Sequence, residues 1–184
     1  EWYAIAKIAG LRLCEALNKQ YGFDTLCLMP SNLYGPGDNY HYKDSHVIPA
    51  LIRKFYEAKI NNLELVKCWG SGTPLREFLH VYDLADACVF ALESWNPKEK
   101  NSPKFDNGNT LYYLNVGSGS DQTIKSLALK IASKLGFTGR IEWDLNKKDG
   151  TPKKLLDISR IKELGWEPKI DLLTGLELTI KDFI

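Results

Sequence analysis

The feature that most constrains the fold is an alternation of short apolar runs with amphipathic segments, most of them ten or more residues long. The runs that we predict to be strands lie at 25–29, 63–69, 77–81, 111–116 and 141–143. The segments with helical periodicity lie at 2–21, from 45 onward, and at 83–95, 124–135, 159–164 and 172–183. Strands that alternate with helices in this way are typical of an α/β fold.

The first helix has an unusual distribution of apolar residues. Ile5, Ile8, Leu11, Leu13 and Leu17 lie nearly all round it, and Gly22 is a suitable residue to end it. A helix of this kind needs to be covered from two sides. We therefore expect it to pack on a sheet and also on a partner subunit, which predicts a homodimer.

Charge, hydropathy and cysteine spacing exclude several classes of protein. The 24 basic and 23 acidic residues leave a formal net charge of +1, which argues against a nucleic-acid partner bound through bulk basicity. No apolar run in these 184 residues approaches the roughly 18 residues that a membrane span needs, so we expect no membrane partner and no secretory leader. Cys14, Cys27, Cys68 and Cys88 lack CxxC spacing and lie in apolar segments. They predict buried thiols, no metal site and a cytoplasmic location.

The chain begins at Glu1 and enters a helix directly, so we expect it to be part of a longer protein. That helix carries the first candidate for chemistry, because Tyr3 and Lys7 are four residues apart and lie on one helix face. A phenol can donate a proton to a carbonyl oxygen as hydride reaches the carbon, and a nearby ammonium assists it where water is excluded. Alone, the pair is also consistent with an accidental Tyr and Lys on a helix.

The order of motifs along the chain carries a resemblance to a known family. The strings are Tyr3–Gly10, Pro30–Pro36, Ser45–Leu51, Trp69–Pro74, Arg76–Ala85, Leu114–Gly119, Asp149–Pro152 and Leu155–Asp157. Over essentially the whole chain they resemble the extended short-chain dehydrogenase/reductase family, whose members act on nucleotide sugars. The resemblance is greatest to the branch that converts GDP-4-keto-6-deoxy-D-mannose to GDP-L-fucose by 3,5-epimerisation and then 4-keto reduction with NADPH.

That resemblance implies a division of the chain. Residues 1–33 correspond to the tail of the NAD(P)-binding Rossmann domain, with the Tyr3 helix and the strand that follows. Residues 34–184 correspond mainly to a smaller α/β domain that binds the nucleotide sugar, and some of their segments can return to the Rossmann sheet.

The resemblance also implies roles for residues near the nicotinamide. Tyr3 is the acid that protonates the C4 oxygen, and Lys7 assists it and binds the nicotinamide ribose. His46 acts in epimerisation, which needs proton removal on one face and delivery on the other. Its family partner is a cysteine upstream of the Tyr3 helix, and therefore none of the four here. The implied cofactor-binding residues are Lys7, Pro30, Ser31, Asn32, Leu33 and His46.

The implied substrate-binding residues are Lys54, Trp69, Arg76 and Asp149, with Lys153 or Lys154 reaching phosphate. A planar guanidinium suits a pyrophosphate, although Arg76 could instead form a salt bridge with Glu77 or Asp83. Trp69 could equally be a core residue, and Asp149 could belong to a solvated loop. Gly117–Gly119 lacks a third glycine and a downstream acid, so we interpret it as structural.

Several family features have no counterpart in these residues: the GxxGxxG loop, the serine that completes the Ser-Tyr-Lys set, and the epimerase cysteine. We therefore expect the 184-residue chain alone to bind NADPH poorly and to be inactive. Two alternatives remain open. The parent could be another nucleotide-sugar epimerase or dehydratase, or the chain could be a GDP-sugar-binding or dimerisation module without chemistry.

Overall fold

A computed structural model describes residues 2–184 and confirms the α/β fold. The described helices are α1 (Trp2–Tyr21), α2 (Val47–Ile60), α3 (Val81–Ser94), α4 (Ile124–Leu135), α5 (Ser159–Glu163) and α6 (Leu172–Phe183). The strands are β1 (Cys27–Pro30), β2 (Asn32–Tyr34), β3 (Leu65–Trp69), β4 (Leu75–His80), β5 (Tyr113–Val116), β6 (Asp121–Thr123), β7 (Arg140–Asp144) and β8 (Lys153–Lys154).

The strands pair in three small sheets that are mostly parallel. β1 pairs with β5, and β3 pairs with β7, each in parallel. In the central sheet β4 lies between β2 and β6 and also pairs with β8; only the β4–β6 pair is antiparallel. β4 therefore pairs with three other strands, and its side chains point alternately to the two faces of the central sheet.

Two hydrophobic clusters form the core. The first joins α2, α4 and α6 around fully buried side chains such as Phe55, Ile131 and Leu176. The second joins β1 and β5 to α3 and α5 around Leu79, Leu114 and Ile161. The second cluster thus combines β1 with segments that follow residue 34. The first cluster contains residues of β2 and of elements that follow it.

Helix ends follow local chemistry. Thr123 caps α4 by accepting from the Ser126 backbone N–H, and Asp171 caps α6 by accepting from two backbone N–H groups. α4 and α6 have the predicted bounds. α2 does not, because it begins at Val47 with His46 as its N-cap, two residues after the predicted start at residue 45.

The short strands β2, β6 and β8 were not predicted from the sequence. Each has two or three residues in a polar or turn-rich stretch, and each becomes a strand by pairing with β4. Such pairing is a tertiary effect that local periodicity does not reveal.

The prediction of four buried thiols is wrong in part. All four cysteines are free, but Cys88 is exposed, Cys14 and Cys27 are half-buried, and only Cys68 is buried. Cys88 lies on the outer face of α3 beside the exposed Val89. Among residues 2–184, no helix combines the length and apolar character that crossing a bilayer requires.

Candidate functional site

A large cleft lies between α1 and the start of α2, with β1 and β2 at its base. Its volume is ≈ 930 Å³. Tyr3, Lys7 and His46 all line it, as does the whole segment 30–33. The residues that the sequence predicted for catalysis and for the nicotinamide end therefore share one cavity, although they come from three separate parts of the chain.

Tyr3 and Lys7 lie on the same face of α1. The Lys7 Nζ is 5.5 Å from the centre of the Tyr3 ring, as the four-residue spacing requires. The Tyr3 side chain is 76% exposed. Within residues 2–184 no carboxylate lies in salt-bridge distance of the Lys7 ammonium, which leaves that charge available to a ligand in the cleft.

His46 enters the cleft from the opposite wall. It is the N-cap of α2 with an extended backbone, but its imidazole accepts no capping hydrogen bond. The ordinary structural role of a polar residue at a helix start is thus not being used here. Its carbonyl accepts from the Ala50 N–H at 2.9 Å, so the helix fixes its backbone while its ring stays free.

A smaller cleft of ≈ 240 Å³ adjoins the large one. Asn32, Val47 and Phe78 line both, so the two form one continuous depression. The small cleft is also lined by Trp69, Arg76, Lys148 and Asp149. Three of the four predicted substrate-binding residues consequently lie next to the cavity that holds Tyr3 and His46.

The structure excludes the salt bridges that were an alternative for Arg76. The Glu77 carboxylate accepts from the Gly119 and Leu156 backbone N–H groups, and the Asp83 carboxylate accepts from Lys169 and Ile170. The only hydrogen bond of the Arg76 guanidinium within residues 2–184 goes to the Leu75 carbonyl oxygen, at 2.7 Å. The rest of this fork is free for an anion.

Trp69 is not a core residue, because 69% of its surface is exposed. The Lys54 and Lys147 ammonium groups lie 5.4 and 5.3 Å from its ring centre, within the distance of a cation–π contact. Lys54 also donates to the Lys67 carbonyl oxygen at 3.3 Å. Lys54 therefore contacts the Trp69 indole, which lines the small cleft, but does not line the cleft itself.

Asp149 holds two loops together. Its two carboxylate oxygens accept from the Ser71 backbone N–H at 2.9 Å and from the Ser71 hydroxyl at 2.6 Å. These hydrogen bonds lower the pKa of Asp149 below its ordinary value. Gly70 permits the contact, since a Cβ there would lie 2.2 Å from an Asp149 oxygen. The carboxylate thus fixes the rim of the small cleft, besides facing any ligand in it.

Sequence reasoning missed three contributors. Phe78 lies at the junction of the two clefts, while Lys147 and Lys148 add positive charge at the small one. Phe78 could have been found from strand alternation, because it follows Arg76 by two residues in β4 and so faces the same side. The two lysines lie in a polar loop whose path no local pattern defines.

A nicotinamide cofactor fits the large cleft. The Ser31 hydroxyl oxygen is buried and has no hydrogen-bond partner within residues 2–184. It belongs to the 30–33 segment that lines the cleft. A buried polar atom normally has a partner, so this oxygen is suited to a polar group of a bound ligand.

The fold and the continuous cleft define a class of protein. The family model described as the NAD dependent epimerase/dehydratase family matches residues 1–104, and the chain belongs to this family.

Relatives and solved structures point the same way. The chain is 50% identical over 184 residues to the probable GDP-L-fucose synthase 1 of Oryza sativa subsp. japonica, covering 100% of this chain and 52% of the relative. It is 50% identical over 186 residues to the GDP-L-fucose synthase of Escherichia coli (strain K12), covering 100% and 56%. A GDP-mannoheptose C4 reductase from Campylobacter jejuni with NADP bound superposes with a TM-score of 0.79 at 31% identity, covering 97% of this chain and 58% of that one. The chain spans about half the length of the curated relatives that it matches.

Proposed function

We propose that the whole protein is a GDP-L-fucose synthase, which converts GDP-4-keto-6-deoxy-D-mannose to GDP-L-fucose by 3,5-epimerisation followed by 4-keto reduction. One observation carries the proposal: Tyr3, Lys7 and His46 line a cleft that continues into a second one lined by Trp69 and Arg76. The names of the rice and E. coli relatives support the same activity.

Epimerisation is assigned to the His46 side of the cleft. The C4 ketone acidifies the hydrogens on C3 and C5, so each centre can lose a proton on one face and regain one on the other. The His46 imidazole can hold such a proton, since no capping bond occupies it. None of the four cysteines lines either cleft, which agrees with a second proton carrier from outside these 184 residues.

Reduction is assigned to the α1 side. The reaction adds a hydride to C4 and a proton to the C4 oxygen, which converts the ketone to an alcohol. NADPH supplies the hydride when it is bound. Tyr3 donates the proton, and the Lys7 ammonium, 5.5 Å from the phenol ring, stabilises the phenolate that remains.

NADPH is the proposed cofactor, and residues 30–33 with Lys7 and His46 are proposed to hold its nicotinamide end. The NADP-bound C. jejuni reductase, which shares the fold, supports this choice. The partnerless Ser31 oxygen offers a polar contact for it.

The GDP moiety is proposed to lie in the small cleft, with its diphosphate beside Arg76. Of the two neighbouring lysines, Lys153 pairs with Asp121, Nζ to Oδ2 at 3.5 Å. Lys154 pairs in parallel register with Arg76, so its side chain leaves the sheet on the same face as that guanidinium. We therefore assign the phosphate contact to Lys154.

Lys154→Met should raise the Kd for GDP about tenfold, since about 1.4 kcal/mol of charge-assisted binding is lost. Lys153→Met is the matched control and should leave the Kd for GDP within twofold. The reverse result, with the larger effect at residue 153, would contradict the assignment.

A homodimer and a cytoplasmic location complete the proposal. Ile5, Ile8 and Leu13 of α1 are each more than half exposed, and a second copy of the chain packed on α1 would cover them. Four free thiols are typical of a reducing compartment. Light scattering of the protein made from its complete coding sequence should give twice the monomer mass, and a monomer would contradict the dimer.

The activity is tested by supplying GDP-4-keto-6-deoxy-D-mannose and NADPH to the protein from its complete coding sequence. NADPH oxidation reports reduction, and deuterium uptake at C3 and C5 in D₂O without NADPH reports epimerisation. His46→Gln should slow deuterium uptake by about 10²–10⁴-fold while largely sparing NADPH oxidation, because hydride addition to the C4 ketone does not itself require inversion at C3 and C5.

His41→Gln is the control, because His41 is an exposed histidine of the preceding loop that lines neither cleft. It should leave both rates unchanged. No NADPH oxidation by the wild type, or equal loss of both activities in His46→Gln, would contradict the proposed function. Interconversion of a UDP-hexose in place of this reaction would favour a 4-epimerase of the same family.

A further inference from the structure

Glu77 is a buried carboxylate at the centre of the molecule that the proposed reaction does not use. It is fully buried, and no Lys or Arg within residues 2–184 pairs with it. Its Oε1 accepts from the Gly119 N–H at 2.7 Å, and its Oε2 accepts from the Leu156 N–H at 2.9 Å. Burying a carboxylate is costly, and two backbone donors from distant segments are what compensates it here.

The two bonds tie β4 to the segments on either side of it. Gly119 belongs to the turn between β5 and β6, and Leu156 follows β8 by two residues. Gly117 makes room for the carboxylate, because a Cβ there would lie 2.2 Å from Glu77 Oε1. This is the physical reason for Gly117, whereas Gly119 has a φ of +74° that favours glycine.

The same residue is connected to the small cleft through the chain itself. Its neighbours Arg76 and Phe78 face the cleft from the opposite side of β4. Its carbonyl oxygen accepts from the Asn32 side chain at 2.7 Å, and Asn32 lines both clefts. The carboxylate also holds the Leu156 N–H, two residues after Lys154, and Lys154 pairs in register with Arg76.

We propose that Glu77 is a positioning residue for the nucleotide end of the site: its carboxylate sets the placement of Arg76 relative to Lys154 without touching the ligand. The proposal rests on the proposed function, since it takes GDP as the ligand of the small cleft. The two donors come from segments on either side of β4, so the carboxylate joins the strand that carries Arg76 to the segment that follows Lys154.

Glu77→Gln in the protein from its complete coding sequence tests this. Gln has the shape of Glu but turns an NH₂ group toward one of the two N–H donors, so one bond is replaced by a repulsive contact. We expect the Kd for GDP to rise ten- to hundredfold, with the Kd for NADPH within twofold of the wild type. We also expect faster hydrogen exchange at the Leu156 and Lys154 amides.

Asp83→Asn is the matched control, because Asp83 is also a buried carboxylate that accepts two backbone N–H groups, at 3.0 Å each, from Lys169 and Ile170. It should lower thermal stability but leave the Kd for GDP within twofold. Gly117→Ala provides a second way to displace the Glu77 carboxylate and should raise the Kd for GDP in the same direction as Glu77→Gln.

Three results would overturn the proposal: an unchanged Kd for GDP in Glu77→Gln, an equal rise in Asp83→Asn, or an equal rise in the Kd for NADPH. If the wild type binds no GDP, the proposed function fails, and hydrogen exchange then decides the positioning role alone. Amides at Lys154 and Leu156 that exchange as slowly in Glu77→Gln as in the wild type would overturn it.

Discussion

The helices α1 and α2 line the same cleft, yet they are built very differently. In α2, seven of the fourteen residues are buried: Ile48, Pro49, Leu51, Ile52, Arg53, Phe55 and Ala58. In the twenty residues of α1, only Asn18 is buried. The side-chain hydrogen bonds of α1 within residues 2–184 are correspondingly local, such as the Asn18 side chain donating to the Phe23 carbonyl oxygen at 3.0 Å.

The difference separates the two ends of the proposed reaction. Tyr3 and Lys7 stand on the exposed helix, while His46 and the small cleft belong to well-packed elements around α2 and β4. Burial of apolar side chains supplies most of the free energy that fixes an element. Within these 184 residues, the GDP end should therefore be preorganised, and the reduction end should not.

Tyr3→Phe should have the largest effect on function. It removes one oxygen, so the reduction rate of the protein from its complete coding sequence should fall by about 10²–10⁴-fold. The Kd for GDP should be unchanged, since Tyr3 lies at the other end of the cleft.

Tyr21→Phe is the control for that variant, because Tyr21 is a 71% exposed tyrosine on the same helix that does not line the cleft. Its reduction rate should equal that of the wild type. A Tyr3→Phe protein that reduces the substrate at the normal rate would contradict the assignment of reduction to α1.

The difference in packing between α1 and α2 is tested by truncating one side chain in each helix. Phe55→Ala in α2 removes a fully buried ring and should lower the free energy of unfolding of the 184-residue chain by about 3–5 kcal/mol. Ile8→Ala in α1 removes a side chain that is 60% exposed in the single chain and should change it by no more than about 0.5 kcal/mol at concentrations at which the chain is monomeric. Urea denaturation measures both, and similar losses would show that α1 is as well packed as α2.

The smallest expected effect is a dependence of the free energy of unfolding on pH, which comes from one histidine of the packed region. Burial lowers the pKa of His80 below its ordinary value of 6.5. The folded state thus binds fewer protons than the unfolded state just below pH 6.5, and stability should fall as the pH drops from about 6.5 toward the lowered pKa.

His80→Asn removes the titratable imidazole. In the wild type the His80 Nδ1 accepts from the Tyr82 N–H, and the Asn side-chain oxygen can accept from the same N–H. The free energy of unfolding of this variant should be flatter between pH 6.5 and 5 than that of the wild type. An equal slope in both proteins would assign the pH dependence to other groups.

Much of the fold followed from the sequence, because periodicity records which face of an element is buried. α4 and α6 have the predicted bounds for that reason. β6 and β8 did not follow, since their residues become strands only by pairing with β4. The exposure of Cys88 did not follow either, because an apolar neighbourhood in sequence does not tell which side of α3 is covered.

The candidate site was predicted through motifs, and their physical setting was not. The four-residue spacing placed Tyr3 and Lys7 on one helix face. No local pattern indicated that His46 lies near them, because it follows Tyr3 by 43 residues and Lys7 by 39. Glu77 was considered only as a partner for Arg76. Its bonds to Gly119 and Leu156 span long stretches of sequence, so the sequence could not predict them.

Calorimetric titration of the 184-residue chain with GDP and, separately, with NADPH tests the central claim most directly. A preorganised nucleotide end and an exposed reduction end predict that GDP binds and that NADPH gives no measurable heat at the same concentrations. The GDP heat should weaken in Arg76→Lys, which loses the planar fork. Binding of NADPH by this chain, or failure to bind GDP, would contradict the account.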